Sequence, residues 1–243
     1  MHTISFLTQK GGTGKSTLAL NLAVTAELFG ERVAVVDLDP QGTAASWRKT
    51  RKLETPVLIE HTKVGSLDET LRSLSAGGFS LALIDTAGTD SMVTHSAMRT
   101  ADLCLVPVRP SEADVRATMP TVRALSAMGR PYALVVNQAP ARLVANVPLR
   151  LVADGPVLPV VIAARVDHQY AYALGQGVQE FAPEGKAAAE IIELWKAVRM
   201  RMGLTGAAPG HPTRVDTTSR RASPIRSDGS SSRSLAVGPK PCG

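Results

Sequence analysis

The chain has 243 residues, 44% of them hydrophobic and 20% charged, which is the composition of a globular protein with a sizeable core. Aromatic residues make up only 4%, which argues against a surface of stacked rings for reading single-stranded nucleic acid. The net charge of +6 suits a polyanionic partner, but six Lys or Arg against two Asp or Glu follow residue 202, so most of the excess is C-terminal.

Apolar runs are too short for a membrane-spanning helix, which needs roughly 18 such residues. The first residues enter a strand-like segment without the pattern of a signal peptide, so we expect a cytoplasmic protein. The two cysteines cannot form a disulfide framework, and Cys104 lies in an apolar run that predicts a small core residue.

Short β-branched runs and longer helical patterns alternate through the first 202 residues. The runs predict seven strands, at Thr3–Leu7, Arg32–Asp37, Val57–Ile59, Leu81–Asp85, Leu103–Pro107, Ala133–Val136 and Leu158–Ile162. Helical spacing predicts five helices, at Ser16–Phe29, Leu67–Ala76, Ser91–Arg99, Glu112–Met128 and Glu184–Met202. Several strands are apolar throughout, which is typical of parallel strands covered on both faces. The expected fold class is α/β, a doubly wound, mostly parallel sheet with helices on both faces.

Two segments are expected, a domain at residues 1–202 and a basic tail at 203–243. The tail is rich in Gly, Pro, Ser and Arg and nearly free of large apolar residues, so we expect it to be disordered. The last helix of the domain has an apolar stripe, which comprises Ala187, Ile191, Leu194, Trp195, Val198 and Met202. Such a stripe could lie on a membrane surface, but packing against the sheet is the favoured interpretation.

The stretch QKGGTGKST, residues 9–17, lies between the first strand and the first helix. It matches the phosphate-loop pattern G-x-x-x-x-G-K-[ST] only in part, because residue 9 is Gln rather than Gly. Its backbone N–H groups from Gly12 to Ser16 can converge on a phosphate at the helix start. Lys15 would then neutralise β- and γ-phosphate oxygens, and the Ser16 hydroxyl would bind Mg²⁺.

Three aspartates end predicted strands at the edge where such a loop lies. Asp85 follows the apolar run LALI, which suits a carboxylate that holds the Mg²⁺ shell through water. Asp37 and Asp39 are two residues apart and can therefore point to one side of an extended chain. Caps and turns remain an alternative interpretation of these residues, most of all for Asp37.

The loop resembles that of the deviant Walker A P-loop NTPases, K-G-G-x-G-K-[ST]-[ST], which residues 10–17 match in full. The resemblance implies that Lys10 acts in trans, on phosphates that a partner subunit binds, and that ATP and Mg²⁺ are the cofactors. It implies that ATP is bound by Gly11, Gly12, Thr13, Gly14, Lys15, Ser16 and Thr17.

A second motif of that family, D-x-D-P-Q, is present as residues 37–41. By this resemblance Asp39 orients or activates the attacking water and Asp37 lies near the metal. An Asn or Arg that follows a later strand contacts adenine in the family, which implies that role for Asn137, although a turn is an alternative.

Further segments resemble the short, ParF-like members of the ParA-type partition ATPases within the ParA/MinD family. They are VPVRPS at residues 106–111 and the segment 165–190. The resemblance implies an ATP-dependent homodimer that binds double-stranded DNA non-specifically, a ParB-like centromere-binding partner that stimulates hydrolysis, and no membrane. The candidate DNA contacts are Arg142, Arg150, Arg165, Lys186, Arg199 and Arg201.

Two alternatives share the loop and the fold. A MinD-like membrane-cycling ATPase would end in a short amphipathic basic helix, which the tail does not resemble. An ATP-dependent ligase related to dethiobiotin synthetase would lack the Lys10–Lys15 pair and need a substrate pocket. Electron transfer is excluded, because an iron–sulfur cluster needs more suitably placed thiolates than two cysteines provide.

Overall fold

The computed structural model describes residues 1–60, 66–140 and 155–204. The strands are β1 His2–Phe6, β2 Val33–Asp37, β3 Val57–Glu60, β4 Leu81–Asp85, β5 Leu103–Val108, β6 Tyr132–Ala139 and β7 Val157–Ala163. The helices are α1 Lys15–Leu28, α2 Thr43–Thr50, α3 Leu67–Ala76, α4 Met92–Thr100, α5 Glu112–Ala127, α6 Asp167–Ala173, α7 Val178–Phe181 and α8 Lys186–Arg201.

The strands of the described residues form one sheet in the order β3-β2-β4-β1-β5-β6-β7, with every neighbouring pair parallel. The predicted fold class is confirmed. Because the strands are parallel, their carboxyl ends share one edge of the sheet, where crossover folds place their ligands. Asp37 at the end of β2 is in register with Asp85 at the end of β4, which in turn pairs with Phe6 of β1.

Each face of the sheet has its own hydrophobic core, and β2 shows how one strand serves both. Val33 and Val35 pack with helices α1 and α8 on one face, whereas Ala34 and Val36 pack with α3, α4 and α5 on the other. Such two-sided burial is why the strands are apolar throughout instead of alternating. Cys104 is a buried free thiol in the second core, as predicted.

The apolar stripe of α8 packs into the first core, which confirms the interpretation that it faces the sheet. Ile191, Leu194 and Trp195 are completely buried there. Burial of a side chain of this size contributes about 2 kcal/mol to stability. Within the described ranges, no helix is both long and apolar enough to cross a lipid bilayer.

Three short helices, α2, α6 and α7, were not predicted from the sequence. Helix α2 begins after Gly42 without a side-chain cap and is held mainly by distant residues. The Trp47 indole donates to the Gln176 carbonyl at 3.1 Å, and the Tyr172 hydroxyl donates to the Thr43 carbonyl at 2.9 Å. Short helices depend on such contacts because their own propensity is marginal.

Arg51 ends α2 and joins it to the segment 175–180. Its guanidinium pairs with both Glu180 oxygens at 2.8 and 2.9 Å, donates to the Gly175 carbonyl at 2.9 Å and stacks on Trp47 at 4.7 Å. A buried charge of this kind is tolerated because its donors are satisfied. The helix that follows the Asp39 turn is therefore attached at its far end to Gly175, which follows α6, and to Glu180 of α7.

Candidate functional site

The glycine-rich loop joins the carboxyl end of β1 to the first turn of α1. Gly12 and Gly14 have φ of +73° and +89°, left-handed values that favour glycine, and Gly14 precedes the helix directly. Helix α1 has no side-chain cap and no acidic residue in its first turn. Its first N–H groups are thus left for an external acceptor, and the helix dipole favours an anion there. Ser16 and Thr17 lie in this turn, as predicted.

Lys15 is buried at the centre of this loop, with 6% of its surface exposed. Burial lowers its pKa, and the nearby carboxylates of Asp85 and Asp39 oppose that change. Within the described ranges it has no ion pair closer than 4.0 Å, although buried lysines are rare unless paired. Its ammonium is therefore placed for an anion that enters the loop.

Asp85 is completely buried, and burial raises its pKa to about 7. The charges of Asp37 and Asp39 also raise this pKa, whereas the Ser16 hydroxyl and Lys15 lower it. The approach of Ser16 falls short of a regular hydrogen bond, and neither Asp85 oxygen has another partner among the described residues. A desolvated carboxylate beside a hydroxyl is a donor set that suits a hard cation such as Mg²⁺.

No cluster of three or more His, Cys, Asp or Glu in the described ranges could hold a metal ion by itself. This agrees with the usual manner of Mg²⁺ binding, in which one or two protein ligands are completed by water and substrate phosphates. Ser16 and Asp85 would hold the ion here, and bound Mg²⁺ would supply positive charge next to the transferring phosphoryl group.

Asp37 and Asp39 shape the turn that leads into α2. The Asp37 carboxylate accepts backbone N–H groups of Asp39 at 3.0 Å and Ala45 at 3.2 Å. Asp39 accepts the Gln41 N–H at 2.9 Å through Oδ1. Asp37 lies next to Asp85, as expected, but both of its oxygens already hold the turn; its metal contact stays a prediction, as does the water-orienting role of Asp39.

Among the described residues, Lys10 is more exposed than Lys15 and, unlike Lys15, has a carboxylate partner. Its ammonium pairs with Asp114 Oδ1 at 2.5 Å, and its side chain is 35% exposed. Asp114 is in the first turn of α5, where it also accepts from Arg109 at 3.1 Å and from the Ser111 hydroxyl. Burial raises the pKa of Asp114, but the hydrogen bonds from Lys10, Ser111 and Arg109 outweigh it and lower that pKa.

Asp114 was not singled out from the sequence, although the segment VPVRPS that precedes it was. That segment supplies Arg109 and Ser111, and Ser111 caps α5 by accepting the Asp114 N–H at 3.2 Å. A Ser followed three residues later by an acidic residue is a signal for a helix start, but it does not reveal a contact with Lys10.

Asn137 and Gln138 end β6 behind the loop. The Asn137 amide donates to the Thr13 carbonyl at 2.7 Å, and the Gln138 amide donates to the Gly12 carbonyl at 3.1 Å. Asn137 is 4% exposed, so its amide group faces the loop in a buried position. Its predicted contact with adenine remains a prediction, and Gln138 was missed.

The candidate DNA contacts differ in what the structure shows of them. Lys186 and Arg201 are exposed on α8, whereas Arg165 pairs with Glu190 at 2.6 Å and Arg199 is half-buried. Arg142, Arg150 and all but the first two residues of the predicted tail lie outside the described ranges.

Comparison with known proteins identifies the family. A family model described as the CobQ/CobB/MinD/ParA nucleotide-binding domain matches residues 4–199. "Maintenance of carboxysome distribution protein A" of Gloeobacter kilaueensis is 33% identical over 143 residues, 58% of this chain and 65% of that protein. "Chromosome-partitioning ATPase Soj" of Thermus thermophilus is 33% identical over 137 residues, 45% of this chain and 55% of that one. The chain thus spans less than two thirds of the length of either relative.

The fold agrees with a solved structure of the septum site-determining protein MinD from Pyrococcus horikoshii, in complex with Mg-ADP. The TM-score is 0.69 at 21% identity, covering 84% of this chain and 98% of MinD. The loop geometry, the sheet order and the family match agree, and the chain belongs to the CobQ/CobB/MinD/ParA nucleotide-binding domain family.

Proposed function

We propose that this chain is a Mg²⁺-dependent ATPase that dimerises around two ATP molecules and segregates or positions DNA. The observation that carries the proposal is the placement of two lysines of one loop. Lys15 is the first residue of α1 and is buried, whereas Lys10 is 35% exposed and pairs with Asp114. Lys15 is placed for a phosphate that its own loop binds, and Lys10 for a phosphate that a second subunit presents.

Hydrolysis follows from these positions. The N–H groups of the loop and Lys15 bind the β- and γ-phosphates, and Ser16 and Asp85 would hold Mg²⁺, which would supply positive charge beside the γ-phosphate. Asp39 orients a water, whose oxygen attacks the γ-phosphorus as the bond to the β–γ bridging oxygen breaks. The water's protons pass to solvent or to phosphate oxygens, and ADP leaves with the bridging oxygen. Lys10 of the partner subunit stabilises the negative charge of the transferring group, as an arginine finger does.

Before dimerisation, Lys10 is retained by Asp114. A partly exposed ion pair of this kind contributes at most about 1 kcal/mol. A triphosphate carries several negative charges in a site with less water, so it can compete for Lys10 successfully. Two facing loops, each with a lysine at its rim, repel unless phosphate lies between them. Dimerisation would therefore depend on ATP.

A mixture of two inactive variants tests whether Lys10 acts in trans. Lys10→Ala and Asp39→Ala should each be nearly inactive, but a mixed dimer has one complete site, formed by Asp39 of the first chain and Lys10 of the second. With random pairing, an equimolar mixture should recover about a quarter of the wild-type rate. If Lys10 acts within its own subunit, every site stays defective, and a mixture that remains inactive contradicts the proposal.

Sedimentation velocity provides the matching test of assembly. We expect a monomer with ADP and a dimer with ATP and Mg²⁺, and we expect Lys10→Ala to dimerise with ATP only at a higher protein concentration than wild type; the mixing test is run above that concentration. Glu69→Ala, an exposed change on α3, serves as the control. A wild-type protein that stays monomeric with ATP, together with a Lys10→Ala variant that hydrolyses ATP normally, would show the proposal to be wrong.

We further propose two partners, double-stranded DNA and a ParB-like protein that stimulates hydrolysis. They are supported by the similarity to Soj, which is described as a chromosome-partitioning ATPase. Exposed Lys186 and Arg201 would neutralise DNA phosphates without reading bases, in a protein that is cytoplasmic and associated with the nucleoid.

Co-sedimentation with duplex DNA tests this part. Binding should require ATP, show no sequence preference, and weaken by at least tenfold between about 50 and 200 mM salt. Lys186→Ala together with Arg201→Ala should weaken it further, with Glu69→Ala as the control. Recovery with anionic liposomes instead of DNA would favour the membrane-cycling alternative.

A further inference from the structure

Two consecutive side chains at the end of β6 donate to two consecutive carbonyls of the phosphate loop. Asn137 Nδ2 lies 2.7 Å from the Thr13 oxygen, and Gln138 Nε2 lies 3.1 Å from the Gly12 oxygen. More than 120 residues separate each donor from its acceptor along the chain. The loop is thus held from behind by a strand that is not its neighbour in sequence.

Regular strand geometry does not permit this arrangement, because successive side chains point to opposite faces. Gln138 departs from it with a φ of +53°, and among the described residues it is the single non-glycine with a left-handed φ. The pairing of β6 with β7 also shifts register between Val136 and Ala139. A local irregularity of this kind re-aims a side chain and strains the backbone, which is typical of functional positions.

The contact is also sterically close. A Cβ atom added to Gly14 would lie 2.4 Å from Asn137 Nδ2 and 3.3 Å from Gln138 Nε2. Glycine at this position therefore has a second purpose beyond its φ of +89°, because it lets both amides reach the loop.

Peptide geometry links these contacts to the phosphate site. In a planar trans peptide the C=O of one residue and the N–H of the next point in opposite directions. Because the Gly12 and Thr13 carbonyls point toward β6, the N–H groups of Thr13 and Gly14 point away from it. Within the described part of the chain neither N–H donates a hydrogen bond, although Thr13 is 99% buried. Buried N–H groups without an acceptor are rare in native proteins.

We propose that Asn137 and Gln138 are positioning residues that orient the Thr13 and Gly14 N–H groups toward the bound phosphates. The inference rests on the proposed nucleotide binding and refines it. Without the two amides these peptide planes can rotate, and the loop must be ordered when the ligand binds. The role differs from recognition of adenine, because it concerns the phosphate chain and is indifferent to the base.

Binding of inorganic tripolyphosphate, which has no base, tests this role. We would measure the affinities of wild-type protein, Gln138→Gly and Asn137→Ala for Mg²⁺ complexes of tripolyphosphate, ATP and GTP by calorimetry. Gln138→Gly is the sharper variant, because glycine adopts a φ of +53° freely, so the side chain is removed without straining the backbone. The matched control is Gln169→Ala, which removes an exposed amide from α6.

We expect each variant to bind tripolyphosphate and ATP more weakly than wild type, by a similar factor of about five to ten. The ratio of ATP affinity to GTP affinity should stay unchanged. In turnover, KM should rise more than kcat falls. Unchanged tripolyphosphate affinity with a reduced ATP-to-GTP ratio would overturn the proposal and assign Asn137 to adenine. A lower Tm with unchanged affinities would overturn it in favour of a purely structural contact. Wild-type protein that binds neither ATP nor tripolyphosphate would instead refute the proposed function.

Discussion

Lys10 and Lys15 belong to the same loop, five residues apart, yet their surroundings are opposite. Lys15 is the first residue of α1, near Asp85 and Asp39, and it is 6% exposed. Lys10 is at the rim, where Asp114 holds a side chain that is 35% exposed. The inner lysine has lost its water without gaining an ion pair, whereas the outer lysine has a partner that it can exchange. The inner site is therefore prepared in advance, and the outer site depends on what approaches it.

Lys15→Ala should have the largest effect on nucleotide binding. Removing the buried cation should weaken ATP binding by about a thousandfold, since several charge-assisted hydrogen bonds to phosphate are lost together. Calorimetry with ATP and Mg²⁺ measures the change, and Lys10→Ala is the matched control because it removes the outer cation. Similar affinities for the two variants would mean that the two lysines do not differ in role.

Asp39→Ala should reduce hydrolysis by about a hundredfold, a usual cost of losing a group that orients the attacking water. ATP binding and the ATP-dependent dimer should persist, because the inner site and Lys10 are intact. Phosphate release and sedimentation velocity measure the two properties on the same sample, with Glu69→Ala as control. Rapid turnover by Asp39→Ala would show that Asp39 does not orient the attacking water.

Asp85→Asn should stabilise the protein without nucleotide, in a manner that depends on pH. The pKa of Asp85 is raised from 3.8 to about 7, so the folded state binds this proton more tightly than the unfolded state. The contribution of the protonated group to stability is complete below about pH 4 and is lost as pH rises through about 7. Asn resembles the protonated form and avoids that loss.

The difference in Tm between Asp85→Asn and wild type should therefore be near zero at about pH 4 and reach about 5 °C or more above pH 7. Thermal unfolding across this range, with both proteins in the same buffers, measures it. A difference in Tm that does not change with pH would show that ionisation of the buried Asp85 carboxyl does not destabilise the folded state.

Asp114→Asn should have the smallest effect, because it releases Lys10 from a weak ion pair while keeping the shape of the side chain. The ATP concentration for half-maximal dimerisation should fall by about two- to fivefold. Glu112→Gln is the matched control, since it removes one charge from the same turn of α5 but pairs with Arg116 instead of Lys10. A rise in that concentration would mean that Asp114 assists the dimer.

The sequence predicted the strands well because apolar runs are a local signal. All seven strands and five of the eight helices in the described ranges were found. Helix α2 was missed because it has few apolar residues, and it is stabilised by the bond from Trp47 to Gln176, 129 residues away. Only the folded chain contains that contact.

In the site, the residues predicted from motifs lie together at one edge of the sheet. Asp114 and Gln138 could not be predicted, because their contacts with the loop join distant parts of the chain. The left-handed φ of Gln138 has no signal in sequence either, since glutamine is not a residue that indicates this conformation. What sequence reasoning missed is the support of the loop, which depends on tertiary structure.

The attachment of Arg51 has a mechanical consequence. Helix α2 starts where the Asp39 turn ends, and its last residue is joined through Arg51 to Glu180 and Gly175. A change in the shape of the Asp39 turn can be accommodated in two ways. Rotation about Gly42, whose φ is +63°, would confine it to the turn. Otherwise α2 would move with the turn as a rigid body, and the contacts of Arg51 would displace the segment 175–180 with it.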